Sequence, residues 1–278
     1  MSIIPKFYVN AVVAIGVGDV SDVTWCGTGF LAYRIVNKDG DMRPLLITNK
    51  HVFEDEKQVV IRLRKKGSED FHTIDVALFE NGKQLYYVHP IHDIDIAVLP
   101  LNGKFFTDNQ LAFDAFSIDD SNFAMSSEEL RNEGVDEGTL IHMLGYPMGL
   151  VNINSTLPIC RLGCVARMSK AQIDESYNIL VDIQNFPGNS GSPIVTRPEI
   201  VSIQGTKALG RSVLFGIIHS YIPYQETLMN TQTKRIVEVR SENSGIAKVH
   251  PVEYIREVVD LIVPKYTQKE ETTEEKEM

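Results

Sequence analysis

Three short segments carry residue types that together could hydrolyse an acyl bond. The first is Pro187-Gly188-Asn189-Ser190-Gly191-Ser192-Pro193, where glycines flank a serine. Glycine tolerates positive φ and close backbone approach, so such a turn leaves the Ser190 hydroxyl exposed. It also aims successive backbone N–H groups into one concavity that suits an anion. The amides of Gly188 and Ser190, on either side of Asn189, are the natural donors there. A plain Gly/Ser/Pro turn between two strands is the alternative reading of the same residues.

A serine hydroxyl becomes a nucleophile only when a base takes its proton and a third group orients that base. Leu45-Leu46-Ile47-Thr48-Asn49-Lys50-His51-Val52 supplies a base, since an apolar strand delivers one imidazole at its end. His92-Asp93-Ile94-Asp95-Ile96-Ala97-Val98-Leu99 supplies a carboxylate, Asp95, at the opening of another apolar strand. An acid at the rim of a core is costly unless paired, and a histidine is a natural partner. A structural histidine and a solvated strand-end aspartate are the alternatives. The same region also offers His89, His92, Asp93 and Asp95, ligand types that suit zinc. Alternate residues of an extended segment point opposite ways, which sets His92 against both carboxylates and disfavours a metal site.

The elements that must position these residues read as strands. Apolar runs rich in Val and Ile fall at 11–17, 29–33, 45–48, 58–63, 94–99, 140–144, 179–183, 193–195 and 213–219, with Gly, Asp and Asn between them. This pattern predicts an all-β barrel or sandwich, not a parallel sheet alternating with long helices. Two helices are predicted. One opens at Ser126 with carboxylates at Glu128 and Glu129. The other spans 251–263, where Val252, Ile255, Val258, Val259 and Ile262 form one apolar stripe. Residues 265–278 carry five Glu and read as a disordered acidic tail.

Composition narrows the functional classes. The chain has 278 residues, 43% hydrophobic and 23% charged, enough for a full core without staples. Its formal net charge of −10 argues against nucleic-acid binding. The one basic run, Arg62, Arg64, Lys65 and Lys66, reads as a solvated hairpin tip. Three cysteines, Cys26, Cys160 and Cys164, do not make a secreted disulfide framework, and pairing of the last two would staple almost nothing. The first residues lack the apolar stretch of a signal peptide, and no run is long enough for a membrane helix. The expectation is a cytoplasmic protein that binds neither membrane nor nucleic acid.

Taken together, the motifs resemble the trypsin-like serine peptidases, in their HtrA-like branch. Thr48-Asn49-Lys50-His51-Val52 is similar to that branch's histidine motif, Asp95-Ile96-Ala97-Val98-Leu99 to its aspartate motif, and Pro187-Gly188-Asn189-Ser190-Gly191 to its serine motif. The order His, Asp, Ser is that of chymotrypsin. Leu144-Gly145-Tyr146-Pro147-Met148-Gly149-Leu150 and Ser244-Gly245-Ile246-Ala247 resemble non-catalytic stretches of the same branch.

The resemblance implies two six-stranded antiparallel β-barrels, at about 1–115 and 136–248, with a C-terminal helix closing a domain over 1–264. No PDZ domain fits in the residues after Ile262. It further implies a His51–Asp95–Ser190 triad with an oxyanion hole at Gly188, Asn189 and Ser190, and no metal or organic cofactor. The substrate is a protein or peptide, with a regulatory protein as a possible further partner. Gln184 is placed near the base of the primary pocket, and Ile218, His219, Ser220 and Tyr221 along its wall. An uncharged Gln184 and a bulky Tyr221 point to small or medium apolar side chains before the cut. Two departures stand out. Ser192 replaces a usual second glycine, and Asn189 replaces the aspartate of secreted trypsins, which puts activation by a new N-terminus in doubt. A latent or inactive binding module on the same fold is the main rival. An esterase elbow is disfavoured because Gly-Asn-Ser-Gly lacks the Gly-x-Ser-x-Gly spacing.

Overall fold

The computed structural model describes residues 3–151, 157–199, 201–202 and 206–265. The acidic segment 266–278 lies outside them. The N-terminal half opens with a short helix α1 (Lys6–Asn10) and continues as β1 (Val12–Asp19), β2 (Asp22–Ile35), β3 (Met42–Thr48), helix α2 (Lys50–Phe53), β4 (Gln58–Arg64) and β5 (Phe71–Ala77). A small hairpin follows, β6 (Phe79–Glu80) with β7 (Lys83–Gln84), and then β8 (Tyr87–Val88), β9 (Ala97–Pro100), helix α3 (Gly103–Asp108) and β10 (Phe116–Ser117). The sheet runs β5-β4-β1-β2-β3-β9-β8, with β10 parallel to β2. It forms an eight-stranded, barrel-like sheet, in keeping with the first of the two barrels that the resemblance implied. The basic run only partly forms the expected solvated tip: Arg62 and Arg64 lie half-buried in β4, and Lys65 and Lys66 lead into the turn with Gly67 at φ +71°.

After helix α4 (Ser127–Asn132) come β11 (Leu140–Gly145), β12 (Ile159–Arg167), helix α5 (Lys170–Ser176), β13 (Ile179–Asp182), β14 (Pro193–Thr196), β15 (Leu214–Met229) and β16 (Ile236–Pro251). These six strands close into a barrel in the order β11-β12-β13-β16-β15-β14. Helix α4 starts as its sequence predicts. The Ser126 hydroxyl accepts from Glu129 N, and the Glu129 carboxylate accepts from Ser126 N, a reciprocal cap that satisfies two otherwise orphaned donors.

Strand alternation explains how one sheet serves two cores. Along β1, β2 and β3, residues Val13, Ile15, Leu31 and Leu46 fill the interior of the N-terminal sheet. Their neighbours Val12, Ala14, Phe30, Ala32, Leu45 and Ile47 face the other way. There they meet Leu144, Tyr146, Val195 and Ile217 of the barrel, so both faces of this sheet are buried. Helix α6 (Val252–Asp260) lays Val252, Ile255, Val258 and Val259 into the same seam, with Ile262 packed beside them. The predicted apolar stripe therefore joins the two halves. Arg256 on the polar flank donates to the carbonyls of Ile118 (2.9 Å) and Ala124 (3.0 Å). The buried Arg34 guanidinium binds Asp119 at 2.7 and 2.9 Å, pairs with Asp260, and donates to Val263 O at 2.9 Å.

Because Ile255 touches the seam and not one core alone, Ile255→Ala should destabilise both halves together. We expect a loss of about 2–5 kcal/mol in urea titrations, with a single transition. Two separated transitions would show that the seam does not couple the halves.

Candidate active site

Strand β3 ends at Thr48, and the chain turns through Asn49 into the single turn of α2, anchored by buried Val52 and Phe53. His51 therefore leaves the sheet on a short, fixed lever. Its backbone N–H donates to Asp95 Oδ1 at 3.0 Å, and its Nδ1 lies 2.5 Å from Asp95 Oδ2. An ionised carboxylate only accepts, so Nδ1 carries a proton, and in the neutral imidazole the lone pair is then on Nε2. The buried Asn49 side chain donates to Asp95 O at 2.7 Å and closes the loop from behind. Asp95 sits between buried Ile94 and Ile96, ahead of β9, which starts at Ala97. The sequence predicts that it opens the strand, whereas it occupies the loop before it. Burial opposes ionisation of Asp95, but the hydrogen bonds and charge of His51 outweigh it and hold the carboxyl below its ordinary range.

Two further histidines stand behind this pair. His250 Nε2 accepts from Asp95 N at 3.0 Å, while its Nδ1 donates to Tyr177 O at 2.9 Å. His219 stacks on His250 with ring centroids 4.0 Å apart and planes 2° from parallel. His219 Nε2 donates to Asn178 Oδ1 at 2.7 Å. Burial lowers the pKa of His250 to about 4 and pushes that of His219 well below its usual value, with mutual repulsion adding to the latter. Both rings are therefore neutral at pH 7. His250 went unrecognised in the sequence, where it precedes Pro251 at the mouth of a helix and belongs to no motif.

The serine turn comes from the other half of the molecule. Peptide planarity fixes where its amides point. Pro187 O accepts from Met148 N at 2.5 Å, so the N–H of Gly188 is directed away from Met148. Asn189 O accepts from Ser192 N at 2.9 Å, which directs the N–H of Ser190 the opposite way from that contact. Gly188 and Gly191 adopt φ +90° and +88°. A Cβ on Gly188 would stand 2.4 Å from Tyr146 O, and one on Gly191 only 1.9 Å from Thr28 O. Backbone shape and available space thus both demand glycine at these positions.

Thr28 of β2 ties this turn to the histidine side. Its N–H donates to Ser190 O at 2.9 Å, its hydroxyl donates to Gly188 O at 2.7 Å, and its carbonyl accepts from the Thr48 hydroxyl at 2.7 Å. Thr48 ends the strand that delivers His51. Among the described residues, no hydrogen bond joins the Ser190 hydroxyl to the His51 ring.

A cavity of about 470 Å³ beside Ser190 is lined by Asn185, Phe186, His219, Ser220 and Tyr221, among others. Ile218 is buried, and its backbone accepts from Gly191 N at 3.0 Å and donates to Ser192 O at 3.1 Å. Gln184 is exposed beside Gly245, and Asn185 and Phe186 line the cavity where the resemblance had placed Gln184.

The family model for the trypsin-like peptidase domain matches residues 27–199, more than half of the chain. The chain belongs to the trypsin-like peptidase family. Among solved structures it is similar to the HtrA-type protease AlgW with decapeptide, at 15% identity and TM-score 0.51, covering 94% of this chain and 68% of that one. It is also similar to the MamO protease domain from Magnetospirillum magneticum in its apo form, at 14% identity and TM-score 0.42, covering 90% and 96%. No curated protein matches in sequence.

Against the family pattern, Ser192 is fully buried, and a Cβ on Gly145 would meet its hydroxyl at 2.0 Å. The glycine of the Leu144–Leu150 stretch makes the room that the extra side chain takes. Asn189 is equally buried, packed against the same glycine. The four residues with metal-ligand chemistry part company. His89 binds Glu257 at 2.8 Å, His92 and Asp93 are exposed, and Asp95 holds His51. Among the described residues, no group of three or more His, Cys, Asp or Glu gathers around a point. Cys26, Cys160 and Cys164 carry free thiols.

The depressed pKa of His250 links the site to stability. The unfolded chain protonates this imidazole below about pH 6.5, the folded chain only below about 4. Stability is therefore complete above pH 6.5 and falls as pH drops between those values, by on the order of 3 kcal/mol. His250→Gln, which keeps an acceptor for Asp95 N but does not titrate there, should reduce this dependence in urea titrations at pH 7.5 and 4.5, leaving the part that His219 contributes. An unchanged slope would dissociate His250 from it.

Proposed function

We propose that this protein is a serine endopeptidase acting through Ser190, His51 and Asp95. The observation that carries the reading is the His51–Asp95 pair, whose geometry commits Nδ1 to a proton and so makes Nε2 the basic nitrogen of the neutral ring. His51 Nε2 takes the Ser190 proton as Oγ attacks the scissile carbonyl, and Asp95 stabilises the imidazolium that forms. The amides of Gly188 and Ser190 receive the oxyanion. The leaving amine takes the proton back from His51, and water then releases the acyl group by the same steps. All of this draws on groups of the chain alone.

The substrate lies extended beside β15 at His219, Ser220 and Tyr221, as an added strand. The peptide-bound HtrA-type neighbour supports peptide as the ligand of such a cleft. Asn185, Phe186 and Tyr221 bring no charge to the cavity, which favours an uncharged side chain before the cut.

The missing Ser190–His51 hydrogen bond favours a second reading, a latent form of the same site that substrate or a regulator completes. Catalytic hydrogen bonds commonly tighten only in the substrate complex. A fluorophosphonate probe separates the two. Labelling of the wild type that disappears in Ser190→Ala marks a competent nucleophile, whereas no labelling without a partner marks latency. Asp95→Asn, which imposes the wrong tautomer, should lower kcat about 10⁴-fold. Asp93→Asn, at an exposed side chain, should leave it near wild type. The reverse pattern would move the orienting carboxylate to Asp93.

A further inference from the structure

Strands β15 and β16 do not stop at the rim of the barrel. They stay paired out to Met229↔Ile236, and from residue 222 onward nearly every residue of both is exposed. At about 3.4 Å per residue, 223–229 carries the ribbon roughly 20 Å into solvent. A two-stranded ribbon is marginal in water by itself, and this one exposes Leu228, Met229, Val237 and Val239.

Its two faces differ in kind. Residues paired directly across strands share a face. One face carries Tyr224 opposite Glu242, Glu226 opposite Arg240 and Leu228 opposite Glu238. The other carries Pro223 opposite Asn243, Gln225 opposite Ser241 and Thr227 opposite Val239, with no ionisable group. This neutral face runs into the cleft, because Pro223 and Ser241 line the same cavity as Ser190 and His219.

One edge of the ribbon is also available. β14 pairs with β15 only as far as Pro193↔Ile217, and beyond Ile218 no described strand takes that edge. A chain continuing in β14's slot and direction would run from Met229 toward His219, bringing its C-terminal end to Ser190.

We propose that this arm extends the substrate site: an unfolded, uncharged stretch of polypeptide on the N-terminal side of the scissile bond adds as a strand to the β15 edge, its alternate side chains meeting the neutral face. The inference deepens the peptidase reading and rests on it for the place of cleavage. Backbone pairing supplies affinity, and the absence of charge on the face selects neutral segments.

The test uses binding, so that it does not depend on turnover. A fluorescein-labelled, unstructured peptide of Ala, Ser, Gln and Val, with no ionisable side chain, is titrated with the full-length Ser190→Ala protein and followed by anisotropy. Adding Gln225→Lys and Thr227→Lys together should weaken binding about tenfold, the scale of a central contact. Glu238→Lys, which changes net charge equally but sits on the other face, should leave binding unchanged. A shortened arm, with 224–242 replaced by an Asn-Gly turn, should match the double variant and guards against its failing to fold. Equal affinity of the wild-type arm and both altered arms overturns the inference, as does no binding to the wild-type arm. Loss of a concentration-dependent dimer in the altered arms, with peptide binding intact, also overturns it and assigns the arm to a second copy. Absent fluorophosphonate labelling, by contrast, would mark the serine site as latent and leave the binding result standing.

Discussion

Thr28 is where the two halves of the site are registered against each other. The imidazole comes from the N-terminal sheet and the hydroxyl from a turn of the C-terminal barrel, so their separation depends on the seam between two folding units. Apolar packing across that seam is strong but has little directional preference. Three hydrogen bonds through one residue convert it into a defined position, one to Ser190 O, one to Gly188 O and one from Thr48. The bare backbone of Gly191 lets the turn come close enough to make them.

Behind the His51–Asp95 pair, the protein keeps polar groups in a dry environment by giving each a partner. His250 is held from both ring nitrogens, and the amide of Asp95 is one of its partners. An acidic group in such surroundings would ordinarily shed its charge. Here the stacked rings stay neutral, and Asp95 keeps its negative charge because His51 answers it from the solvent side. Local polarity and function are then one arrangement, since the groups that make Asp95 tolerable also aim it.

Much of this was legible in the sequence, for identifiable reasons. Short apolar runs rich in Val and Ile marked most of the strands, the Ser126–Glu129 spacing marked α4, and the stripe from Val252 marked the closing helix. Glycines about Ser190 and an imidazole at a strand end marked the candidate site, because both signals are local. What escaped depends on contacts distant in sequence. The role of His250 depends on Tyr177 and Asp95, far away along the chain. The placement of Asn185 and Phe186, not Gln184, in the cavity wall depends on partners such as Asn243, which donates to Asn185 O from another strand. Strand β16 and the outer part of β15 escaped because Glu and Arg alternate there with short apolar residues, as befits a ribbon with no core beneath it.

The fit of Ser192 against Gly145 has an evolutionary side. A hydroxymethyl group at one position and a bare α-carbon at the other form a lock and its notch, contributed by segments far apart along the chain. The notch is shared, because Asn189 Oδ1 would also stand 2.8 Å from a Cβ at 145. Two partners thus hold residue 145 to glycine at once, and a larger residue there needs concerted change at three positions.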